Sequence, residues 1–326
     1  MTNATSTEPL VKHGQQGRFW AVVRYELLWN LRKKKILVVL IAAMALELIT
    51  FSLAPLASEL LGQSIPKDPD YVVSSGISGL IAFFFALVVV MNSISGEFES
   101  GTAVTLLTKP VSRTTIFLGK LTAALLTLIP PFVLLFIIEA LGGTVVYGPQ
   151  SDIYLLPLTF LGAVVSTLVW LAIVLALSSV TKSSVLTAVI SVVVYIAVGI
   201  AASTVALFTT QSWFLTALPG GGGTGYLIPT SNIVPNPSLL SASVSTGTDS
   251  LATNLVSFVL HPSYYVEFVK ENISLATSSA TAPTFTVTSV EPLSYVLLTS
   301  LCVAFAYIFV FLFIAWFSLK RAEVSE

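Results

Sequence analysis

The sequence predicts an all-α integral membrane protein, and three observations support this fold class. Hydrophobic residues make up 55% of the 326 residues and charged residues only 10%, whereas a soluble domain carries roughly 25% charged residues. The mean hydropathy is +0.91. The apolar residues are gathered into runs that are long enough to cross a bilayer, which takes about 20 residues of helix. A soluble protein with an ordinary core is therefore excluded.

Six of these runs are candidate transmembrane helices. The first is too long for a cleaved signal peptide and follows a polar head of 35 residues, so we interpret it as a membrane anchor. The predicted spans, numbered one to six, are 36–56, 77–95, 115–141, 153–178, 185–208 and 293–318.

The segment before the first span, 18–34, has the pattern of an amphipathic helix. Such a helix is typical of a segment that lies in the headgroup plane of a membrane, although it could also be the solvated start of the first span. Its apolar side is predicted to hold Trp20, Val23, Leu27 and Leu31, and its polar side Glu26, Asn30 and Lys33.

The distribution of basic residues predicts the orientation. With six spans and both termini on one side, 13 of the 15 Lys and Arg residues lie on that side, and only Lys67 and Lys270 lie on the other. Segments rich in Lys and Arg stay in the cytoplasm. We therefore expect a multi-pass protein of the plasma (cell) membrane whose head 1–35, connector 96–114 and tail 319–326 are cytoplasmic.

The remaining large segment, 209–292, is then an extracytoplasmic loop between spans five and six. It is rich in Ser, Thr, Gly and Pro, but aromatic residues are scattered through it. Because a plain linker would lack the aromatic residues, we expect short helices within 251–274 that dip into the outer leaflet or pack as a small cap.

The chain lacks the residues for common catalytic sites. The phosphate-binding pattern Gly-x4-Gly-Lys-Ser/Thr does not occur, and the only histidines, His13 and His261, are predicted to lie on opposite sides of the membrane. The single cysteine, Cys302, falls inside span six. We expect no enzyme activity and no cofactor in this chain, membrane lipid as a partner, and no nucleic acid.

Two acids fall within the spans. Glu47 lies in the middle of span one, where a charge is costly, so it is a possible intramembrane polar site. The alternative, which we favour, is that it bonds to a neighbouring helix and merely holds the bundle together. Glu139 lies near the outer end of span three, and we expect it to reach the surface.

The most charged and most motif-like segment is the connector between spans two and three. We expect a short helix over 97–108, which Pro110 ends, and a cap at Ser112–Thr115 for span three. The residues that stand out are Gly96, Glu97, Glu99, Gly101, Thr102, Leu106, Leu107, Pro110, Ser112, Arg113, Gly119 and Lys120.

This pattern resembles the permease subunit of ABC-2 type ATP-driven exporters, which have the type V exporter fold. In that family a Gly-Glu-x-Glu-x-Gly-Thr stretch follows span two, and two leucines, a Pro-x-Ser-Arg turn and a Gly-Lys pair come after it. The six spans, the interfacial helix and a largest outer loop between spans five and six are also similar to that family. The outer loop here is unusually long and rich in Ser and Thr.

The resemblance implies a translocation path formed by two permease subunits, identical or related, with Phe84, Asn92 and Tyr195 as possible lining residues beside Phe83 and Phe85. It also implies two separate ATPase subunits, which bind ATP and Mg²⁺ and push the 97–108 helix. The nearly uncharged path favours a lipid-like or hydrophobic peptide cargo. The residues implied in ATPase coupling are Glu97, Glu99, Gly101, Thr102, Leu106, Pro110 and Arg113.

Two alternatives remain at this point. A polytopic scaffold or assembly factor could use the outer loop to hold a partner, and it would need no ATPase. A secondary transporter or membrane enzyme would need several convergent intramembrane ionisable residues, and only Glu47 is central.

Overall fold

The computed structural model describes most of the chain. The described residues are 15–32, 34–62, 65, 67–77, 79–102, 111–208, 213–229, 243–272 and 284–321. Leu106, Leu107 and Pro110 of the connector lie outside these residues, as do Lys33 and most of the tail.

Six helices in the described residues are long and apolar enough to cross a membrane, which confirms the predicted number of spans. Most extend beyond the predicted bounds, because helices continue past the hydrocarbon at both ends. They are α2 (Lys34–Leu61), α4 (Gly79–Val90), α6 (Arg113–Tyr147), α7 (Leu156–Thr181, preceded by a 3₁₀ turn at Ile153–Leu155), α8 (Ser184–Phe208) and α11 (Leu293–Arg321).

The helix α7 lies at the centre of the bundle. It packs against α4, α8 and α11, and Trp170 in its middle is almost completely buried. Phe83 and Phe85 of α4 are also buried in this core, so they do not line a path, which corrects the expectation for these two side chains.

The first helix, α1 (Gln15–Arg32), confirms that a helix precedes span one, but its predicted orientation is wrong. Glu26 and Asn30 point into the protein, whereas Trp20 and Leu31 are exposed. Val23, on the predicted apolar side, is buried as well, so the face of α1 that packs on the bundle combines Val23 with Glu26, which pairs with Lys120, while Trp20 and Leu31 face outward, as in a helix that lies at a membrane surface.

Span two is interrupted near its inner end. The helix α4 stops at Val90, residues 91–94 form turns, and a short helix α5 (Ser95–Glu99) follows. At the break, Ser178 of α7 accepts the Ser95 N–H at 3.1 Å and donates to the carbonyl of Met91 at 3.2 Å. One hydroxyl thus satisfies backbone groups that a break in a helix would leave unpaired.

The outer loop forms a cap that combines short helices with a sheet. The helix α10 (Leu251–Leu260) agrees with the expectation of a short helix in 251–274, but 265–272 is a strand, which corrects the rest of that expectation. With α3 (Tyr71–Ser75), α9 (Trp213–Ala217) and α10, the cap contains a four-stranded antiparallel sheet of order β2-β1-β3-β4 within the described residues. Its strands are β1 (Thr224–Ile228), β2 (Ser243–Ser245), β3 (Tyr265–Asn272) and β4 (Thr284–Pro292).

The cap also reaches down between the spans. Gly162 of α7 lies so close to Ala252 of α10 that a methyl group on it would overlap the backbone there. Further down, Tyr307 of α11 donates a hydrogen bond to the carbonyl of Ala217 at 2.8 Å. We call the end of the bundle that carries α1 and α5 the basic face, and the opposite end, which carries the sheet, the sheet face.

Candidate coupling site

A buried lysine joins three elements at the basic face. Lys120 of α6 is only 3% exposed. Its Nζ lies 2.5 Å from Glu26 Oε1 of α1 and 2.7 Å from Glu97 Oε1 of α5, and it donates to the Ser93 carbonyl at 2.7 Å. An ammonium group has three N–H donors, so every donor of Lys120 is used.

The residue before this lysine explains how α1 comes close enough. A side chain on Gly119 would meet Val22 Cγ1 of α1 at 2.7 Å, so only glycine allows the two helices to pack at this distance. The close packing lets the short Glu26 side chain reach Lys120. The Gly-Lys pair at the start of span three therefore has a structural reason in this chain: the glycine admits α1 and the lysine binds it.

The second glutamate of the connector binds a different helix. Glu99 Oε1 accepts the Ser184 N–H at 2.8 Å and the Ser183 hydroxyl at 3.0 Å, and Oε2 accepts the Ser184 hydroxyl. Ser184 is the first residue of α8, so the carboxylate caps the N-terminus of that helix, where the helix dipole favours a negative charge. Glu97 and Glu99 thus tie α5 to α1, α6 and α8.

A tight turn follows α5. Gly101 has a φ of 70°, a left-handed conformation that suits glycine, and the Ser100 and Thr102 hydroxyls lie 2.9 Å apart across it. The turn corrects the expectation of one continuous helix over 97–108, because α5 ends at Glu99. The part of that expectation that falls on 103–110 lies outside the described residues.

Beyond the connector, the predicted cap of span three is confirmed: Ser112 Oγ accepts the Thr115 N–H at 3.1 Å. Arg113 donates to the carbonyls of Leu319 and Lys320 at 3.3 and 2.7 Å. A guanidinium there satisfies the last carbonyls of α11 and complements the negative end of its dipole. Arg113 thus joins the start of span three to the end of span six.

The three side chains predicted to line a path lie at different depths in the protein. Phe84 is exposed on the surface of α4 and Asn92 is half-buried at the break in span two. Tyr195 of α8 is stacked on Phe83 at a centroid distance of 4.3 Å, and Trp170 lies 5.0 Å from it. The structure therefore places Tyr195 within an aromatic cluster that joins α4, α7 and α8.

The two intramembrane acids lie on neighbouring helices. Glu47 is half-buried on α2, and Phe51, one turn further along, packs against Gly142 of α6. Glu139 is buried rather than exposed, which corrects the expectation that it reaches the surface, and its Oε1 accepts the Ser75 hydroxyl at 2.5 Å. Through Ser75, Glu139 holds the short segment that leads into α4.

A third acid, Asp249, was missed in the sequence. It follows β2 in the cap, yet its Oδ1 accepts the indole N–H of Trp170 at 3.3 Å. Trp170 is 14 residues from the start of α7, or about 21 Å along that helix, so Asp249 lies deep between the spans. Burial raises the pKa of Asp249 to about 6, and the hydrogen bond from Trp170 opposes this rise.

Two glycines make room for this carboxylate. A methyl group on Gly79, the first residue of α4, would overlap Asp249 Oδ2, and one on Gly220 would lie 2.8 Å from the same atom. No local signal in the sequence could have identified Asp249, because a single acid in a polar loop looks like a solvated residue. The only signal was indirect: the two glycines that leave room for Asp249, Gly79 and Gly220, lie 170 and 29 residues away from it in sequence.

A family model of the ABC-2 family transporter proteins matches residues 20–324, which is nearly the whole chain. The chain belongs to the ABC-2 transporter family. No match was found among curated proteins. Membership of this family confirms the resemblance carried by the connector and means that the chain is a permease, the membrane component of an ABC transporter. Its role is that of a transporter subunit that is not itself catalytic.

Proposed function

We propose that this permease works as a dimer in an ATP-driven exporter and is moved by separate ATPase subunits that press on the segment 95–102. The observation that carries the proposal is the set of contacts made by Glu97 and Glu99. Through Lys120 and Ser184, these two carboxylates link one short surface segment to α1, α6 and α8. A push on this segment therefore acts on four helices. It reaches α1, α6 and α8 through these contacts, and α4 through residues 91–94, which join α4 to α5.

The proposed orientation puts the basic face in the cytoplasm of a plasma membrane, where the ATPase subunits and their ATP and Mg²⁺ are. It is supported by the excess of Lys and Arg at this face. For the transport cycle to work, ATP binding by the partner must favour one conformation of the permease over the other. A contact that joins several helices fits this need, because it converts a local displacement into a change in their relative positions.

The proposed dimer uses the exposed apolar side of α8. Val189, Val193, Ile196 and Ile200 recur at helical spacing on this helix, and each is more than half exposed. This stripe suits a second permease subunit, identical or related, that packs around a common path with Phe84 and Tyr195 nearby. The apolar surroundings favour a lipid-like or hydrophobic cargo over an ion.

The experiment is a charge reversal at the connector, Glu97→Lys together with Glu99→Lys. We expect the ATPase to dissociate from the complex in gentle detergent, and ATP-driven transport to be lost, while the six spans still insert. Because the reversed charge at position 97 would face Lys120, insertion is checked separately by protease accessibility of the sheet face. If an ATPase still co-purifies and transport persists, the coupling role of the connector is wrong.

The main alternative is a scaffold or assembly factor that binds a partner through the cap. It predicts that no ATPase subunit co-purifies with the wild-type chain. A pull-down in gentle detergent followed by mass spectrometry of the bound proteins separates the two functions.

A further inference from the structure

The acid of span three, Glu139, has one carboxyl oxygen without a partner. Glu139 is only 3% exposed, and its Oε1 accepts the hydroxyl of Ser75 at 2.5 Å. Its Oε2 is buried as well, and no hydrogen bond reaches it from the described part of the chain. An ionised carboxylate accepts hydrogen bonds on both oxygens. A buried carboxylate that lacks them is so costly that it is neutralised by a countercharge or by a proton.

The helices around Glu139 supply no countercharge. Among the described residues both ion pairs use Lys120, and neither includes Glu139. Of the helices that pack against α6, α4 and α7 contain no charged residue, α1 lies at the basic face, and the charges of α11 are at its basic-face end. Lys67 in the connector before α3 is exposed. The sheet-face segments outside the described residues also contain no Lys, Arg or His, namely 63–64, 66, 78, 209–212, 230–242 and 273–283.

A second acid, Glu47, faces the same contact between α2 and α6. The two helices run in the same direction, from the basic face to the sheet face, and Phe51 of α2 packs against Gly142 of α6. Glu47 precedes Phe51 by four residues, or about 6 Å, and Glu139 precedes Gly142 by three residues, or about 4.5 Å. These spacings also keep each acid on the contacting side of its helix. The two carboxyl groups therefore lie near the same level of one helix contact.

The hydroxyl of Tyr71 is affected by both acids. Burial raises the pKa of Tyr71, the stacked Tyr147 raises it further, and the charges of Glu139 and Glu47 add to the rise. Acidic groups from α2, α3 and α6 thus meet at the outer part of this contact. Like charges so close together disfavour the ionised form of each group. This arrangement favours a proton on the pair of glutamates.

Ser75 connects Glu139 with the sheet face. Ser75 is exposed there, and its hydroxyl donates to Glu139 Oε1. A hydroxyl both donates and accepts hydrogen bonds. It can therefore pass a proton between water and the carboxyl group.

We propose that Glu139 and Glu47 form a proton-binding site of the permease, which exchanges its proton with the sheet face through Ser75. The proton lies on Glu139 Oε2, the oxygen without a partner. By removing a buried charge it favours the packing of α2 on α6, whereas its loss favours conformations in which water reaches the carboxylate. Because Ser75 belongs to the segment that leads into span two, the proton also biases the position of that span. The site goes beyond the proposed function, since it binds its proton whether or not an ATPase moves the permease.

Labelling with dicyclohexylcarbodiimide tests the site in the purified wild-type chain in gentle detergent. This apolar reagent adds to neutral carboxylic acids in apolar surroundings, and mass spectrometry locates the resulting N-acylurea. We expect label on Glu139 or Glu47 at neutral pH, at a rate that falls about ten-fold per pH unit once the pair is ionised. Glu59, an exposed acid on α2, is the internal control and should stay unlabelled.

Two results of the labelling overturn the proposal. One is the absence of label on both Glu139 and Glu47 at every pH. The other is protection by sodium or potassium chloride but not by choline chloride, which would show that a metal cation neutralises the pair in place of a proton.

Infrared spectroscopy gives a second measurement that needs no reagent. The C=O stretching band of a neutral carboxylic acid should be present in the wild type, be lost in part in Glu139→Gln and be shifted in Glu139→Asp. Glu59→Gln is the matched control and should leave the band unchanged. Gln has the shape of a neutral Glu and can still accept the Ser75 hydroxyl, so the variant should fold. A band that Glu139→Gln leaves unchanged shows that Glu139 is ionised and refutes the site. The labelling uses the wild type alone, so it decides the matter even if Glu139→Gln fails to fold.

Discussion

At the scale of single residues, Lys120 specifies how three helices meet. A lysine so deeply buried is tolerated only with partners, and here the two partners come from α1 and α5, 94 and 23 positions away in sequence. Removing one member of a buried ion pair leaves an uncompensated charge, which typically costs about 3–5 kcal/mol. The stability of the basic face should therefore depend on this one side chain.

Lys120→Met tests this dependence. Met fills a similar volume but leaves Glu26 and Glu97 close together without a cation, so we expect the free energy of unfolding to fall by about 3–5 kcal/mol. The triple variant Glu26→Gln, Glu97→Gln, Lys120→Met should recover part of the loss, because it contains no buried charge. Thermal unfolding in detergent measures both, with Lys320→Met as an exposed control. An unchanged melting temperature for Lys120→Met contradicts the role given to this lysine.

The sequence predicted the residues of the connector better than their contacts. Glu97, Glu99, Gly101 and Arg113 stood out by local pattern, whereas Glu26 was placed on a solvated face. The pattern of a helix shows which residues share a face, but it does not show whether that face meets water, lipid or a buried lysine. Contacts between residues so far apart in sequence leave no trace in local spacing.

At the scale of elements, the cap is held between the spans by buried polar contacts. Ser166 of α7 donates to the carbonyl of Thr248 at 2.5 Å, and Ser300 of α11 accepts the Gly247 N–H at 3.1 Å. Asp249 lies at the tip of this same turn, against the first residue of α4. The one ionisable group in the turn should therefore make the attachment of the cap depend on pH.

The sign follows from the raised pKa of Asp249, about 6 against an ordinary value of 3.8. The native protein holds this proton more tightly than the unfolded chain, so lowering the pH from above 6 to below 4 stabilises the native state, by roughly 2–3 kcal/mol. Asp249→Asn should remove this contribution and leave the pH dependence of the other groups. Melting temperatures of both proteins at pH 7.5 and 4.5 measure the difference. Equal pH dependence in the two proteins would contradict the raised pKa of Asp249.

The spans and the cap differed in how well they could be predicted. Six long apolar runs are sufficient to predict six helices, because only a helix satisfies its own backbone in lipid. The strands of the cap were missed because β2 has three residues, and β4 alternates Thr and Ser with apolar residues in a segment that looks like a polar loop. The break in span two depends on Ser178, whose hydroxyl comes from another helix.

At the scale of the whole molecule, span two is held at both ends. Its outer end is fixed by Asp249 against Gly79 and by Glu139 through Ser75, and its inner end by Glu97 and Lys120. The 18 residues from Gly79 to Glu97 would span about 27 Å as continuous helix, and the break at residues 91–94 lies near the inner end of this stretch. Because Ser178 of α7 holds the break in span two on both sides, a displacement at the basic face can be transmitted through this element to the cap, which would move in the proposed export cycle.

A cycle of Gly79→Ala and Glu97→Gln tests whether the two ends of span two act together. The added methyl group displaces the Asp249 carboxylate, and the amide weakens the contact with Lys120, so each variant should lower both the melting temperature and ATP-driven transport. Because the sites are too far apart to touch, their effects on the free energy of unfolding should add to within about 0.5 kcal/mol. The effects on transport should not add in this way. If span two carries the displacement, loosening one end already uncouples it from the other end. The double variant should therefore transport nearly as well as the worse single variant. Val145→Ala, at a position of α6 that is 83% exposed, is the control. Multiplicative losses of transport in the double variant would show that the two ends act independently.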